Sequence, residues 1–231
     1  MNRPIPLALS MLVALFSALT ALAVTGGPDA HAHGTQPAIQ HHMEARGPAA
    51  ITRKELALRN GMRALWEDHV TWTRLGVISL LEDSADKDAT VGRLLRNQTD
   101  IGNAVKPFYG DAAGAALTQK LREHILIAAD LISAAKAGDG EKVAREQARW
   151  EKNAAEIAAL LNKVNPRFWK RAALRSMLNE HLTLTTAEVV ARLNHDWNAD
   201  VAAYDRIHRH ALGMADALST GIVKQFPRRF R

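Results

Sequence analysis

The sequence predicts an all-α fold, an antiparallel bundle of five to six helices with no β-sheet. Three observations predict it. From residue 52 to 226 the chain is rich in Ala, Leu, Glu, Lys and Arg, which are strong helix formers. No segment shows the alternation of β-branched and polar residues that a half-buried strand requires. The glycines fall mostly in turns and the connections are short, which makes successive helices antiparallel neighbours.

The elements are placed by their caps. A first helix runs over residues 53–81 and ends in the polar turn 82–88. A second starts at Thr90 and stops before Pro107, with an interruption near Asn97 and Asp100. Asp111 is the N-cap candidate of a third helix, which reaches Ala137. Gly138 ends that helix, and Asp139 caps a fourth that reaches about Val164. Asn165-Pro166 reads as an N-cap followed by proline at the first helical position. Thr185, with Glu188 three residues on, fits a capping box that opens a last helix running to about Lys224. Pro227 lies just past that end. One domain therefore covers 52–226, and Arg228, Arg229 and Arg231 make 227–231 a basic tail.

Ahead of the bundle the composition changes twice. Arg3 precedes an almost wholly apolar stretch over 5–24, followed by the A-x-A sites Ala21-Leu22-Ala23 and Ala30-His31-Ala32. This is the pattern of a signal peptide over 1–32, cleaved after Ala23, Ala30 or Ala32, and it implies export to the periplasm or the extracellular space. Residues 33–51 carry Gly, Pro, Gln and His without hydrophobic period and read as a disordered linker. Cleavage after Ala30 would leave a chain beginning His31-Ala32-His33, a nitrogen set suited to Cu(II) or Ni(II).

Composition excludes several chemistries. The chain has no cysteine, which removes disulfides, thiol catalysis, iron–sulfur clusters and Cys-based zinc sites. A net charge of +6 is dispersed along the helices rather than gathered in a basic stripe with aromatics, so no nucleic-acid partner is expected. No membrane span is expected once the signal is removed. No G-x-S-x-G elbow, glycine-rich phosphate loop or HExxH occurs.

The most informative pattern is an internal similarity. Trp66-Glu67-Asp68-His69-Val70 resembles Leu121-Arg122-Glu123-His124-Ile125 and Leu178-Asn179-Glu180-His181-Leu182, and Trp150-Glu151-Lys152-Asn153-Ala154 is a looser copy. Helical spacing puts each His or Asn on the apolar stripe: Met62, Leu65 and Trp66 flank His69, Leu117 and Leu121 flank His124, and Leu174 and Leu178 flank His181. Four helices thus aim an imidazole or amide at the core. One expectation is a hydrogen-bonded polar layer, satisfied by Asn153, Thr73, Tyr204 or backbone. The sharper one is a metal site of His69, His124 and His181 for zinc or copper, or haem ligation by two of them. Asn153, Glu67, Glu123 and Glu180 would then stand in the outer shell. The ExxH spacing of carboxylate-bridged bundles is missing from all three helices.

Other polar residues have simpler explanations. Asn97 and Asp100 serve as caps where the second helix is interrupted, beside Trp72 and Asn103. Arg74 is expected to pair with Asp130, Asp205 or Asp216. Asp205 and His208, with Tyr204 adjacent, suit a carboxylate orienting an imidazole or an exposed ion pair.

The run LWEDHVTWTR over 65–74, with RLLRNQTDIGNAVKPFYG, EHILIAADLISAAKAGD and GIVKQFP further on, resembles a family of small exported bacterial helical proteins of unknown function. The resemblance covers nearly all of 56–227 and implies a single helical domain. Some members have carried the names glycosyltransferase or acetylglutamate kinase. Those activities need a nucleotide-binding α/β sheet, which this sequence has no strands to build. The functional expectation is therefore a non-enzymatic exported binding or structural module. The alternatives are a metal-dependent enzyme using the histidine layer and a module that binds a protein partner through a helix face.

Overall fold

The computed structural model describes residues 51–231, so the expected signal peptide and most of the linker lie outside the described residues. Thr52 starts the first helix, α1 (Arg53–Glu82), by accepting a hydrogen bond from the Glu55 N–H at 3.2 Å. Asp83, at φ 52°, ends it. The chain continues through α2 (Lys87–Tyr109), α3 (Asp111–Ala137), α4 (Gly140–Val164), α5 (Arg171–Leu193) and α6 (Trp197–Gln225), then closes with a 3₁₀ turn over Pro227–Phe230. The fold is an all-α bundle without strands among the described residues. None of these helices is long and apolar enough to cross a membrane.

Each helix packs on its neighbours in the chain, and α6 returns to pack on α1, so the six form a closed ring. Across the interior α1 also leans on α3 and, at fewer points, on α5. The closest approach in the ring is between α2 and α3. A Cβ on Gly102 would stand 2.7 Å from the Gly114 carbonyl, and one on Gly114 would stand 2.6 Å from the Gly102 carbonyl. Only glycine fits at both positions, and this draws the hairpin tight around Gly110 at φ 84°.

Six boundaries differ from the sequence expectation. Helix α2 starts at Lys87 rather than Thr90, and Gly110 stands at the N-cap of α3 without a side-chain bond, so Asp111 is the first helical residue and not the cap. Helix α2 runs unbroken through Asn97 and Asp100, because Asn97 is fully buried and its amide donates to the Leu65 carbonyl of α1 at 2.9 Å instead of capping. It also continues past Pro107, which sits in the last turn, where the missing N–H costs a single ladder bond.

Asn165 does cap, with Oδ1 accepting from Phe168 N–H at 3.2 Å, but it caps a turn, and α5 starts only at Arg171. The Thr185 capping box is absent: α5 is continuous there, and Thr185 donates its hydroxyl to the His181 carbonyl at 2.9 Å. The true break is at 194–196, where His195 takes φ 58° and Asp196 accepts from Ala199 N–H at 3.0 Å.

The expected basic tail belongs to the fold. Phe230 is buried, Arg229 donates to the Pro107 carbonyl at 2.6 Å and lies over the Phe108 ring, and Thr52 donates to the Phe230 carbonyl at 2.6 Å. The last turn thus ties the start of α1 to the end of α2.

Candidate functional site

His69 on α1, His124 on α3 and His181 on α5 point inward, each no more than 4% exposed. The repeated pattern explains it: the apolar residue three positions earlier packs in the core and carries the histidine with it. His181 is the hub, with ring centres 5.7 Å from His69 and 6.3 Å from His124. Trp66 meets the His69 ring edge-on at 5.4 Å, and Trp150 lies 5.2 Å from His124. A fourth imidazole, His210 on α6, lies parallel to His181 at 6.3 Å. His210 lacks the repeated pattern around the other three histidines, although Ile207 and Met214 flank it at helical spacings and are both buried.

Side-chain amides meet two of the three rings. Asn153 Oδ1 accepts from His124 Nδ1–H at 2.8 Å while its amide donates to the Lys120 carbonyl, which leaves the lone pair of His124 on Nε2. Gln98 Nε2 lies 3.2 Å from His69 Nδ1, 2.9 Å from the Leu94 carbonyl and 3.1 Å from Asn97 Oδ1. Thr73 serves the His69 carbonyl rather than the ring, and Tyr204 contacts Thr71. Nδ1 of His181 is buried and has no hydrogen-bond partner.

Burial holds all three imidazoles neutral. Desolvation, aided by His124, pushes His69 down to about 4, and desolvation pushes His124 down to about 4 against the favourable Asn153 bond. His181 lies well below the usual histidine range, through desolvation first and then through His69, His124 and His210.

Beside the layer lies an internal cavity with about 40 Å³ of room for the centres of water-sized molecules. Its walls come from α1, α3 and α5, with Trp150 of α4, and are almost wholly carbon. Three lining residues carry buried polar atoms without partners: His181 Nδ1, Trp150 Nε1 and Thr186 Oγ1. Beyond it Val77, Ile132 and Val189 form a small apolar cluster separate from the main core.

The carboxylates expected around the layer turn away from it. Glu67 accepts from His208 at 2.9 Å, Glu123 pairs with Lys120 at 2.9 Å, and Glu180 lies 3.7 Å from His210. Asn153 alone of the expected outer set touches a layer imidazole. The Glu67 contact also shows that His208 is paired across helices rather than with Asp205. Ring centres around one ion, with bonds of about 2 Å, stand roughly 5–6.5 Å apart, as His181 does from His69 and from His124. Yet among the described residues no group of three or more histidines and carboxylates is disposed to hold a metal ion, so an ion here would require at least one ring to turn. The cavity is far too small for a porphyrin.

A second buried polar cluster joins α1, α5 and α6. Arg74 binds Asp200 through two parallel bonds at 2.9 Å and Glu188 at 2.6 Å, and Arg192 reaches Asp200 at 3.0 Å. None of the acidic partners expected for Arg74 is used. Burial drives the Glu188 carboxyl up to about 7 against the pull of Arg74. Arg192 also lies 3.5 Å from Glu82, and Arg74 lies 4.8 Å over the Tyr204 ring, so the cluster reads as a clamp between helices.

The chain matches no family model, no curated protein and no solved structure.

Proposed function

We propose that this chain is an exported, non-enzymatic binding module whose ligand sits against the buried histidine layer. One observation carries the reading. Three imidazoles from three helices are held neutral beside one cavity, and the central ring, His181, lacks a partner at Nδ1. An unpaired polar atom in a core costs about 1–3 kcal/mol, and a ligand that pairs it recovers that loss. Neutral imidazole is also the form that accepts zinc or copper, so the layer needs no deprotonation near neutral pH. Export rests on the composition of residues 1–32. The cavity-lining residues include no carboxylate, lysine or arginine, which supports binding rather than turnover.

The test uses mature protein purified without a histidine tag. Native mass spectrometry and metal analysis, before and after exposure to Zn(II) and Cu(II), read the occupant directly. The expected result is a stoichiometric ligand or ion that is lost in both His124→Ala and His181→Ala. Retention by both variants, or an empty protein that takes up nothing from metals or small neutral solutes, would end the reading.

A further inference from the structure

Tight cores contain few voids larger than a water molecule, and each costs stability. The cavity beside the histidine layer is such a void, at about 40 Å³. It lies where the core divides. Val77, Ile132 and Val189 line it and form a cluster of their own, while Leu131 and Trp150 line it from the main core. Ala128 and Ala135, about two turns apart on α3, are also in its wall, and their short side chains leave the space between the clusters unfilled. An apolar occupant would touch both clusters and supply the dispersion contacts that the gap forfeits.

The polar groups around the cavity do not serve it. Thr73 and Thr185 donate their hydroxyls to the His69 and His181 carbonyls, one turn back on their own helices, at 2.7 and 2.9 Å. Trp150 Nε1, Thr186 Oγ1 and His181 Nδ1 have no partner, but neighbouring atoms close over them and the wall stays almost wholly carbon. A buried water needs about two to four polar partners, so a void with this wall stays dry. No carboxylate, lysine or arginine lines it, and an ionic occupant would be buried without a counter-charge.

We propose that this cavity is a binding site for a small apolar molecule, a dissolved gas or a short hydrocarbon of no more than about three or four non-hydrogen atoms. The size follows from the roughly 10–15 Å³ of such space that one water-sized group takes up. Binding here uses no lone pair of an imidazole, so the inference goes beyond whatever the histidine layer itself holds.

Xenon is the probe for a gas and propane for a hydrocarbon, with methanol, small but polar, as the control. The readout is the isoleucine δ1-methyl signals in a ¹H–¹³C spectrum. Ile125 and Ile132 line the cavity, whereas Ile207 and Ile222 are buried away from it. Ile125→Val and Ile132→Val assign the two reporting signals. Xenon or propane should shift both saturably, with an affinity of about millimolar for a three-carbon ligand, while Ile207 and Ile222 stay in place. Methanol should leave all four unmoved. Ala128→Leu, which fills the space, should abolish the shift, with helicity and melting followed to confirm folding. If that variant fails to fold, Ala135→Val, which adds less, and the methanol control still decide. No saturable shift, an equal response at Ile207 and Ile222, an equal response to methanol, or binding that survives the folded filling variants overturns the proposal. If zinc or copper binds a protein that xenon and propane leave unchanged, this inference falls and the binding-module reading stands. If nothing binds, both fall.

Discussion

Asn153 decides how His124 presents itself, because its carbonyl oxygen fixes the proton on Nδ1 and its amide holds the Lys120 carbonyl. Asn153→Leu leaves the buried His124 Nδ1–H unpaired, while the Lys120 carbonyl keeps its bond within the helix. It should cost about 1–3 kcal/mol in urea unfolding. Arg74 should matter more. Arg74→Met strands Glu188, exposed by only 1%, and leaves Asp200 with Arg192 alone, and it should cost about 3–5 kcal/mol. Adding Glu188→Leu should restore part of that loss, since it removes one stranded carboxylate and Asp200 keeps Arg192. A double variant no more stable than Arg74→Met would show that the clamp contributes by shape rather than charge. At this scale the sequence showed which histidines face inward, because spacing along one helix decides that. It did not show Gln98 or the partners of Arg74, because those depend on how one helix is set against another, whereas the spacing of Ile207 and Met214 does mark His210.

Helices were legible where a cap acts locally and were misread where tertiary contacts reassign the side chain. Gly138, at φ 73°, and Asp139, accepting from Lys142 N–H at 2.9 Å, behave as expected. Asn97, Thr185 and Glu188 have the same chemistry as caps, but each is buried and spends its polar atoms on the core, so the helix runs through. The α2–α3 pair supplies an element-scale test. Gly102→Ala would place a Cβ 2.7 Å from the Gly114 carbonyl and 1.9 Å from Thr118 Oγ1, and the backbone contact cannot yield without parting the helices. It should destabilise by about 1–3 kcal/mol or more, as overpacking does. Gly61→Ala, on α1 with open space around its Cβ, should instead stabilise by about 0.5–1 kcal/mol. Thermal denaturation of the two variants checks both signs, and a stabilised Gly102→Ala would refute the close approach.

Closing six helices into one ring places imidazoles from four of them around a single centre, and that makes acid stability a property of the whole molecule. His69 and His124 titrate at about 4 in the fold and His181 well below the ordinary histidine range, against about 6.5 in an unfolded chain. Between those values the unfolded state binds more protons, so the stability these rings give is present above pH 6.5 and is lost as pH falls towards 4. Each contributes a slope of at most about 1.4 kcal/mol per pH unit. Glu188 works the other way: raised to about 7 from an unfolded 4.5, its contribution is complete below 4.5 and is lost as pH rises through 7. From pH 6.5 to 4.5 it offsets one of the three histidines, leaving a net slope of at most about 2.7 kcal/mol per unit. His181 faces His69 of α1, His124 of α3, and His210 of α6 with its neighbour Glu180, and has no bond of its own to lose. His181→Phe should therefore be close to neutral at pH 7, more stable than the parent at pH 5, and shallower in its pH dependence by about one proton. Urea midpoints measured at half-unit steps from pH 7 to 4 give the slope for each chain. A flat parent profile, or a variant with the parent's slope, would mean that these rings are not buried in their neutral form.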